Sequence, residues 1–257
     1  MNRNIIYKTD RIAHYFARNR VTWQQFYESE RIIISQLNLG HHHTILDIGC
    51  GCGGLGLALQ EQYGVENYTG VEINPSAAEA GRVMNPQAHI LCGDILDLGQ
   101  NELSKKRFDV VFSLSCVDWN VQFSDMLEAA WGYVLPGGYL VATFRLAVGE
   151  GCNDMKRSYQ YINYEGVKEG ECASYVVLNA KTLIQQLENF NPSVIRAFGY
   201  WGMPSSTAIT PYEKLCFAAF SIQKRKADDT GATRLQLDLP PEILDVIGFT
   251  ALPDDQG

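Results

Sequence analysis

The stretch that decides the fold is ILDIGCGCGGLG, residues 45–56. Its first four residues are apolar apart from Asp47, and a short run of this kind predicts a buried β-strand. Glycines at 49, 51 and 53 allow the backbone to turn tightly and to approach a ligand with no Cβ in the way. The free N–H groups of a helix beginning at Gly54 would face the same place. The stretch therefore predicts a strand, a ligand-binding loop and a helix.

Two interpretations of the loop stay open on its spacing alone. Gly49-x-Gly51-x-x-Gly54 fits the dinucleotide-binding fingerprint, but it also fits a tight turn between a strand and a helix. Asp47, two residues before the first glycine, argues against a pyrophosphate because its negative charge would repel one. The same charge would attract an ammonium or a sulfonium group.

Two further acids follow predicted strands. Glu72 ends the second strand, where a carboxylate can accept hydrogen bonds from both hydroxyls of a ribose. Asp94 follows the third strand and can accept a hydrogen bond from the exocyclic amine of an adenine. Parallel strands meet at one crevice in an open α/β sheet, so we expect Asp47, Glu72 and Asp94 to lie together there.

Short apolar runs alternate with amphipathic stretches through residues 44–146. This alternation predicts an α/β fold, a doubly wound, mostly parallel seven-stranded sheet with helices on both faces and an antiparallel edge strand. The predicted strands are 44–48, 67–73, 89–92, 108–114, 139–145, 194–198 and 215–222, with helices at 54–63, 75–83, 123–134 and 181–188.

The domain organisation is predicted in three parts. Residues 1–40 would form an N-terminal helical lid, with apolar positions at helical spacing over residues 21–37, Thr22 as its cap and Gly40 as its end. Residues 41–225 would be a Rossmann-like domain with an insertion at 147–179. Residues 226–257 would be a C-terminal tail whose ends are mobile.

The chain resembles the class I S-adenosylmethionine-dependent methyltransferases over residues 43–146, with weaker support to residue 223. Four motifs carry the resemblance in order: ILDIGCGCGGLG at 45–56, YTGVEIN at 68–74, HILCGDI at 89–95, and RFDVVFSLSCVDW at 107–119 followed by VLPGGYLVATF at 134–144. The resemblance implies an enzyme that uses S-adenosyl-L-methionine as its cofactor and methylates a small organic acceptor by direct in-line transfer.

The resemblance also implies a set of cofactor-binding residues. Gly49 and Gly51 would contact the methionine end, Glu72 the ribose, and Ser115 and Cys116 would lie beside the sulfonium. The full predicted set is Asp47, Gly49, Cys50, Gly51, Glu72, Ile73, Asp94, Ile95, Ser115 and Cys116. Ile73, Asp94 and Ile95 would surround the adenine. Cys116 fits a packing residue better than a catalytic one.

The segment after the fourth strand departs from one branch of the family. Members that methylate bases and amides carry Asn/Asp-Pro-Pro-Tyr/Phe there, whereas this chain has Ser115-Cys-Val-Asp-Trp-Asn120. The difference argues against base or glutamine amide N-methylation. In-line methyl transfer requires mainly that the donor and the acceptor are aligned. A general base is needed only if the acceptor must lose a proton early.

Several residues are candidates for the acceptor site. Asp118 is the candidate catalytic residue, as a base or by orienting a hydroxyl, with Trp119 and Asn120 beside it as substrate-binding residues. The alternative for Trp119 and Asn120 is a core residue and a helix cap. Arg145 would pair with a carboxylate or phosphate of the acceptor. The N-terminal segment would fold over the crevice as a lid with Tyr15, Trp23, Phe26, Tyr27 and Arg31. The other candidate wall is the 147–179 segment with Tyr159, Tyr161 and Tyr164, and aromatic-rich walls suit a small organic acceptor.

Composition limits the partners. Lys and Arg number 21 and Asp and Glu 29, a net charge of −8, so nucleic acid is not expected as a partner. No apolar run approaches the roughly 18 residues that span a bilayer, and no signal peptide or membrane association is expected. Seven cysteines, an odd number, suit reduced thiols in a cytoplasmic protein. No metal site is expected, His41-His42-His43 is interpreted as surface, and a homodimer is a further expectation.

Two alternatives to the methyltransferase hypothesis remain. The first is a nicotinamide-dependent oxidoreductase, favoured by the glycine spacing and by Tyr164-Glu-Gly-Val-Lys168, which matches a Tyr-x-x-x-Lys dyad. The second is a scaffold that binds the cofactor without catalysis, since no catalytic residue is needed to form this fold.

Overall fold

The computed structural model describes residues 11–98, 103–163 and 165–249. Its helices are α1 Arg11–Phe16, α2 Glu28–Ser35, α3 Gly54–Tyr63, α4 Pro75–Met84, α5 Ile95–Leu98, α6 Phe123–Gly132, α7 Ala180–Glu188 and α8 Pro241–Ile247. Its strands are β1 Thr44–Ile48, β2 Asn67–Glu72, β3 His89–Cys92, β4 Phe108–Ser113, β5 Val134–Ala147, β6 Tyr159–Tyr161, β7 Cys172–Ser174, β8 Leu178–Asn179, β9 Val194–Gly202, β10 Ala208–Ile209, β11 Leu215–Gln223 and β12 Arg234–Asp238.

The central sheet has the order β12-β9-β11-β5-β4-β1-β2-β3, and β8 pairs with the end of β5. Strands β1 to β5 are parallel, as the alternation predicts, and β11 runs antiparallel to both β5 and β9. The α/β fold with a mostly parallel sheet is thus confirmed. Chain order reverses at β1, so the crevice at its carboxyl end is where an open sheet of this kind binds ligands.

The sheet has nine strands in the described part of the chain, where seven were predicted. The additional strands are β8 and β12. The antiparallel strand β11 lies inside the sheet and not at its edge, because it pairs with β5 on one side and with β9 on the other. The edge strand is β12, which pairs in parallel with β9.

The segment after residue 225 contributes to the core. In β12, Leu235 and Leu237 alternate with exposed residues and pack against the same cluster as Ile243 of α8. This alternation is typical of a half-buried strand. It was not recognised in the sequence because it is short and is surrounded by charged residues.

The sheet is covered on both faces. In β1, Ile45 packs with residues of α2 and α3, whereas its neighbour Leu46 packs with residues of α6 and α7. Successive strand residues point to opposite faces, so this burial explains why β1 and β4 lack polar alternation.

The predicted helix over residues 21–37 is divided in two. A short 3-10 helix covers Trp23–Gln25, Phe26 is extended, and α2 begins at Glu28 and ends at Ser35. The Glu30 carboxylate explains the break, because it accepts a hydrogen bond from the Tyr27 N–H at 2.9 Å and caps the start of α2.

The same carboxylate holds the N-terminal segment in place. The Arg20 guanidinium donates two hydrogen bonds to the fully buried Glu30, at 3.1 and 2.9 Å. Arg20 also lies over the rings of Phe26 and Tyr27, at 4.6 and 5.3 Å from their centroids. The Arg20–Glu30 ion pair therefore holds the residues before α2 against that helix.

The predicted insertion at 147–179 forms part of a second, small sheet. Strands β6 and β7 pair with each other, and β10 pairs with β6. We call these strands and their connections the annex. Its core contains Tyr175, Val177 and Ala208, which pack against Leu215 of β11. No helix in the described ranges is both long and apolar enough to cross a membrane.

We predict that Glu30→Gln lowers the free energy of unfolding by about 3 kcal/mol, because it leaves the Arg20 charge without its partner. Chemical denaturation measures the change. Glu28→Gln, at an exposed position in the same helical turn, is the matched control and should shift stability by less than about 0.5 kcal/mol. Equal effects of the two variants would contradict this role of the ion pair.

Candidate functional site

Two adjoining cavities lie at the carboxyl ends of the parallel strands. We call the first the glycine-loop cavity, since residues 47–55 form much of its wall, and the second the arginine cavity, since Arg145 lines it. Their volumes, counted out to open solvent, are about 1070 and 1950 Å³. Four residues line both cavities and mark their boundary: Phe16, Arg20, Ser115 and Trp119.

The glycine loop closes tightly over the end of β2. The N–H groups of Gly49 and Cys50 both donate to the Val71 carbonyl, at 2.8 and 3.1 Å. Gly49 has a φ of +74°, and a Cβ there would lie 2.5 Å from Sγ of Cys116. Glycine is required at this position because any side chain would collide with the end of β4.

Glycine is required at position 54 because of a contact with the N-terminal segment, which the dinucleotide-binding fingerprint does not predict. A Cβ at this position would overlap the carbonyl oxygen of Arg20, so the N-terminal segment crosses directly over the start of α3. Arg20 itself has a φ of +62°, a conformation that residues with a side chain seldom adopt.

Glu72 is held in a fixed position at the end of β2. One carboxylate oxygen accepts the Gly51 N–H at 2.8 Å, and the other accepts the backbone N–H and the side-chain amide of Asn74, both at 2.8 Å. The carboxylate lines the glycine-loop cavity. Each oxygen of a carboxylate has two lone pairs, so it retains capacity to accept a hydroxyl of a ligand.

Asp47 lies beside it at the end of β1 and is almost fully buried. Its carboxylate accepts a hydrogen bond from the Tyr68 hydroxyl at 2.5 Å. Burial raises the pKa of Asp47 from 3.8 to about 7, although the Tyr68 hydrogen bond and the Arg20 charge oppose the rise. A cation beside this buried group would favour its ionised form.

The third acid marks the far end of the cavity. Asp94 follows β3, and its Oδ1 accepts the Leu96 N–H at 3.0 Å at the start of α5. Ile73 and Ile95 also line the cavity and provide apolar surface.

The thiols at the site are neutral. Burial raises the pKa of both Cys50 and Cys116 well above the ordinary value, and it raises the pKa of Cys52 to about 11. A protonated thiol is a poor nucleophile, so these groups serve packing. All seven cysteines are free.

Ser115 forms the ridge between the two cavities. It has a φ of +49°, and its N–H donates to Oγ1 of Thr143 on β5 at 2.7 Å. This bond compensates for an unusual conformation and links the end of β4 to β5.

Arg145 is buried in the arginine cavity, where its guanidinium lies in the corner formed by two aromatic rings whose planes are 86° apart. The centre of its guanidinium lies 3.8 Å from the ring centroid of Tyr175 and 4.4 Å from that of Trp119. Its Nη1 donates to the Asp118 carbonyl at 2.8 Å and lies 3.2 Å from Oδ2 of the same residue. The expected free cation is therefore already paired with Asp118.

Asp118 is fixed from two sides. Its carbonyl oxygen also accepts the Val176 N–H at 3.1 Å, which ties the annex to the end of β4. Burial raises the pKa of Asp118, and the Arg145 charge partly opposes the rise. Its Oδ1 is buried and has no hydrogen-bond partner among the described residues.

The structure brings together almost all the predicted site residues. The glycine-loop cavity is lined by the whole predicted cofactor set: Asp47, Gly49, Cys50, Gly51, Glu72, Ile73, Asp94, Ile95, Ser115 and Cys116. The arginine cavity is lined by Tyr15, Tyr27, Asp118, Trp119 and Arg145.

Some candidates lie elsewhere. Asn120 lines neither cavity, because its side chain accepts the Gln122 N–H at 2.8 Å in the turn before α6. Trp23 packs on Tyr63, and Arg31 donates to Gln24. Of the three tyrosines predicted as a wall, Tyr161 lines the arginine cavity, Tyr159 does not, and Tyr164 lies outside the described residues.

Other residues at the site had no signal in the sequence. Arg20 lines both cavities, and its backbone conformation cannot be inferred from its neighbours. Tyr175 and Tyr200 reach the arginine cavity from the annex and from β9, which are distant from β4 in the chain. In the ranges that the structure describes, no group of three or more His, Cys, Asp or Glu side chains could hold a metal ion.

Comparison with known proteins finds methyltransferases that are similar to part of this chain. Residues 45–138 match the family model of the methyltransferase domain. An uncharacterised methyltransferase of Schizosaccharomyces pombe is 32% identical over 87 residues, which are 34% of this chain and 32% of that protein. A putative methyltransferase of Invertebrate iridescent virus 6 is 27% identical over 95 residues, 37% of this chain and 34% of that protein. The chain thus spans about a third of the length of these curated relatives.

Solved structures show the same fold. An S-adenosylmethionine-dependent methyltransferase from Methanosarcina mazei has a TM-score of 0.55 at 17% identity, covering 78% of this chain and 99% of its own. Phosphoethanolamine N-methyltransferase 2 of Haemonchus contortus, in complex with S-adenosyl-L-methionine, has a TM-score of 0.59 at 14% identity, covering 85% and 58%.

We predict that Asp47→Asn changes how stability depends on pH. Folded Asp47 keeps its proton up to about pH 7, whereas the unfolded group loses it near 3.8. The folded chain therefore binds more protons between these values, and Asp47 lowers the free energy of unfolding as pH rises through this window. Asp47→Asn should remove that part of the decline, so the variant gains stability over the wild type as pH rises toward 7.

Thermal unfolding at a series of pH values measures this difference. The exposed Asp97 provides the matched control, since Asp97→Asn should leave the pH profile unchanged. Parallel profiles for the wild type and Asp47→Asn would show that Asp47 is ionised in the folded chain.

Proposed function

We propose that this chain, which carries a class I methyltransferase domain at residues 45–138, binds S-adenosyl-L-methionine and transfers its methyl group to a small organic acceptor. The observation that carries the proposal is the meeting of Asp47, Glu72 and Asp94 in one cavity that opens past Ser115 and Trp119 into a second. One cavity would hold the methyl donor, and the other would hold the acceptor.

The residues present fit this cofactor. Glu72 offers the remaining lone pair of Oε2 to a ribose hydroxyl, and Asp94 offers a carboxylate oxygen to the adenine amine, with Ile73 and Ile95 as apolar surface for the ring. Asp47 is a buried acid with no basic side chain hydrogen-bonded to it in the described chain, so a cationic methionine end would satisfy its charge. Gly49 and Gly51 leave room for a ligand at the backbone.

When bound, the cofactor supplies a methyl group already activated by a positively charged sulfur. The residues of the chain then have to align the acceptor with this methyl group and to take up the proton that the acceptor loses. Ser115 and Trp119, at the boundary of the cavities, would place the acceptor opposite the donor, and Cys116 would pack beside it as a neutral group. Asp118, which lines the second cavity, would accept the hydrogen of the attacking group.

The oxidoreductase alternative receives less support from the geometry. Lys168 of the proposed dyad is exposed and lines neither cavity, while Tyr164 lies outside the described residues. In a nicotinamide-dependent enzyme, the Asp47 carboxylate would also face the negatively charged pyrophosphate of the cofactor. A cytoplasmic location and a homodimer stay predictions from the sequence.

The first test is calorimetric titration with S-adenosylmethionine, S-adenosylhomocysteine and NAD(P). Binding of the first two but not of NAD(P) is expected. Glu72→Gln should weaken binding of S-adenosylhomocysteine by about 2 kcal/mol, roughly thirtyfold in Kd, because an amide would face the Gly51 and Asn74 donors and offer one acceptor fewer.

The exposed Glu61 provides the matched control, since Glu61→Gln should bind as the wild type does. Binding of NAD(P) alone would overturn the proposal. Tight binding of the sulfonium cofactor without turnover on any acceptor would favour the non-catalytic scaffold instead.

A further inference from the structure

Within the described chain, the glycine-loop cavity is lined by three acids and a single basic side chain. The acids are Asp47, Glu72 and Asp94, and the basic residue is Arg20. The proposed cofactor carries both an ammonium and a carboxylate at its methionine end. Asp47 can attract the ammonium, but an acid repels the carboxylate. The carboxylate therefore requires a donor group from another part of the cavity wall.

The glycine loop has already used most of its own donors. The N–H groups of residues 49–51 donate to Val71 and Glu72 at the end of β2, and the Gly53 N–H donates to the Cys50 carbonyl at 2.9 Å. Free N–H groups at the start of a helix are a common site for an anion, but these four are directed at protein acceptors. A side-chain donor is therefore needed to hold an anion beside this loop.

We propose that Arg20 binds the carboxylate at the methionine end of the cofactor and thereby selects ligands that carry this group. The inference rests on the proposed function and adds a cofactor-binding residue to the same site. Arg20 lines the arginine cavity as well, so a carboxylate bound to it would hold the N-terminal segment at the boundary between the two cavities.

The main chain places Arg20 beside the glycine loop. Its carbonyl oxygen lies directly over Gly54 at the start of α3. Burial raises the pKa of Asp47, and the Arg20 charge is near enough to oppose part of that rise. A cation and an acid at the same end of the cavity match the two opposite charges of an amino-acid group.

The Arg20 guanidinium retains donors for a ligand. Glu30 accepts one hydrogen bond from Nη1 and one from Nη2. A guanidinium has five N–H donors in one plane, so three remain. The Arg20 side chain is 22% exposed whereas that of Glu30 is fully buried, so a ligand can reach the arginine but not its partner. Glu30 thus orients the guanidinium before a ligand binds, which lowers the entropy that binding costs.

Two ligands that differ only in the carboxylate test the proposal by calorimetric titration. S-adenosylhomocysteine carries this group, whereas its decarboxylated analogue keeps the adenosine, the thioether and the ammonium. We expect the wild type to bind S-adenosylhomocysteine about thirtyfold more tightly than the analogue, which is the effect of charge-assisted hydrogen bonds to the carboxylate. Because both ligands carry the groups that Asp47 and Glu72 would bind, the ratio of the two affinities reports on the carboxylate alone.

A double variant tests Arg20 without leaving a buried charge unpaired. Arg20→Gln combined with Glu30→Gln removes both members of the ion pair, and this variant should bind the two ligands about equally. Glu30→Gln alone keeps the Arg20 charge and removes its counter-charge, so it should widen the preference beyond that of the wild type. Arg18→Gln, at an exposed position that lines neither cavity, is the matched control and should keep the wild-type preference.

Thermal unfolding shows whether each variant folds. If the double variant does not, Arg20→Lys provides the same comparison. A lysine ammonium directed at the buried Glu30 has no plane of further donors for a ligand, so the preference should fall in this variant as well.

Equal binding of the two ligands by the wild type would overturn the proposal, as would a preference that persists in the double variant. An equal loss of affinity for both ligands would show that Arg20 serves only the structure of the N-terminal segment, which would overturn the proposal too. Failure of the wild type to bind either ligand would instead overturn the proposed function itself.

Discussion

The hydrogen bond from the Gly51 N–H to the Glu72 carboxylate is the contact on which the site depends. It joins the glycine loop after β1 to the end of β2, and the two bonds from Gly49 and Cys50 to Val71 run beside it. The loop is thereby formed by the protein alone, and it requires no ligand to define its shape. A binding surface held in this way loses little conformational entropy when it is occupied.

The ends of β4 and β5 connect the two cavities in a similar manner. Ser115 is bonded to Thr143, and Asp118 is bonded to Arg145, so two residues of the segment after β4 have a partner on β5. The annex adds a third attachment through Val176. Together, these contacts attach the boundary between the cavities to β5 and to the annex.

Most of the fold and the part of the glycine-loop cavity that the strand ends form could be predicted from the sequence because both depend on local order. A strand, a glycine turn and an acid at each strand end lie close together in the chain, and parallel pairing brings the ends together. The arginine cavity depends on distant segments. Tyr175 reaches it from the annex, and Arg20 reaches it through a positive φ and a pair with Glu30. Asn120 is a local case, since its side chain accepts the Gln122 N–H in the turn before α6, in line with the helix-cap alternative that the sequence left open. Dependence on a distant segment also explains β12, whose pairing with β9 became evident only in three dimensions.

The position of α2 has a consequence for how the protein is made. This N-terminal helix packs on β9 and β11, which lie near the other end of the chain. Its apolar residues Ile33 and Ile34 are almost completely buried in the finished protein. On the ribosome they emerge long before the strands that cover them, so α2 must wait, exposed, until about 180 further residues have been synthesised, on the order of 10–40 s at usual elongation rates. The wall of the arginine cavity therefore combines segments that are synthesised early with segments that are synthesised late, and it can form only after the later ones have emerged.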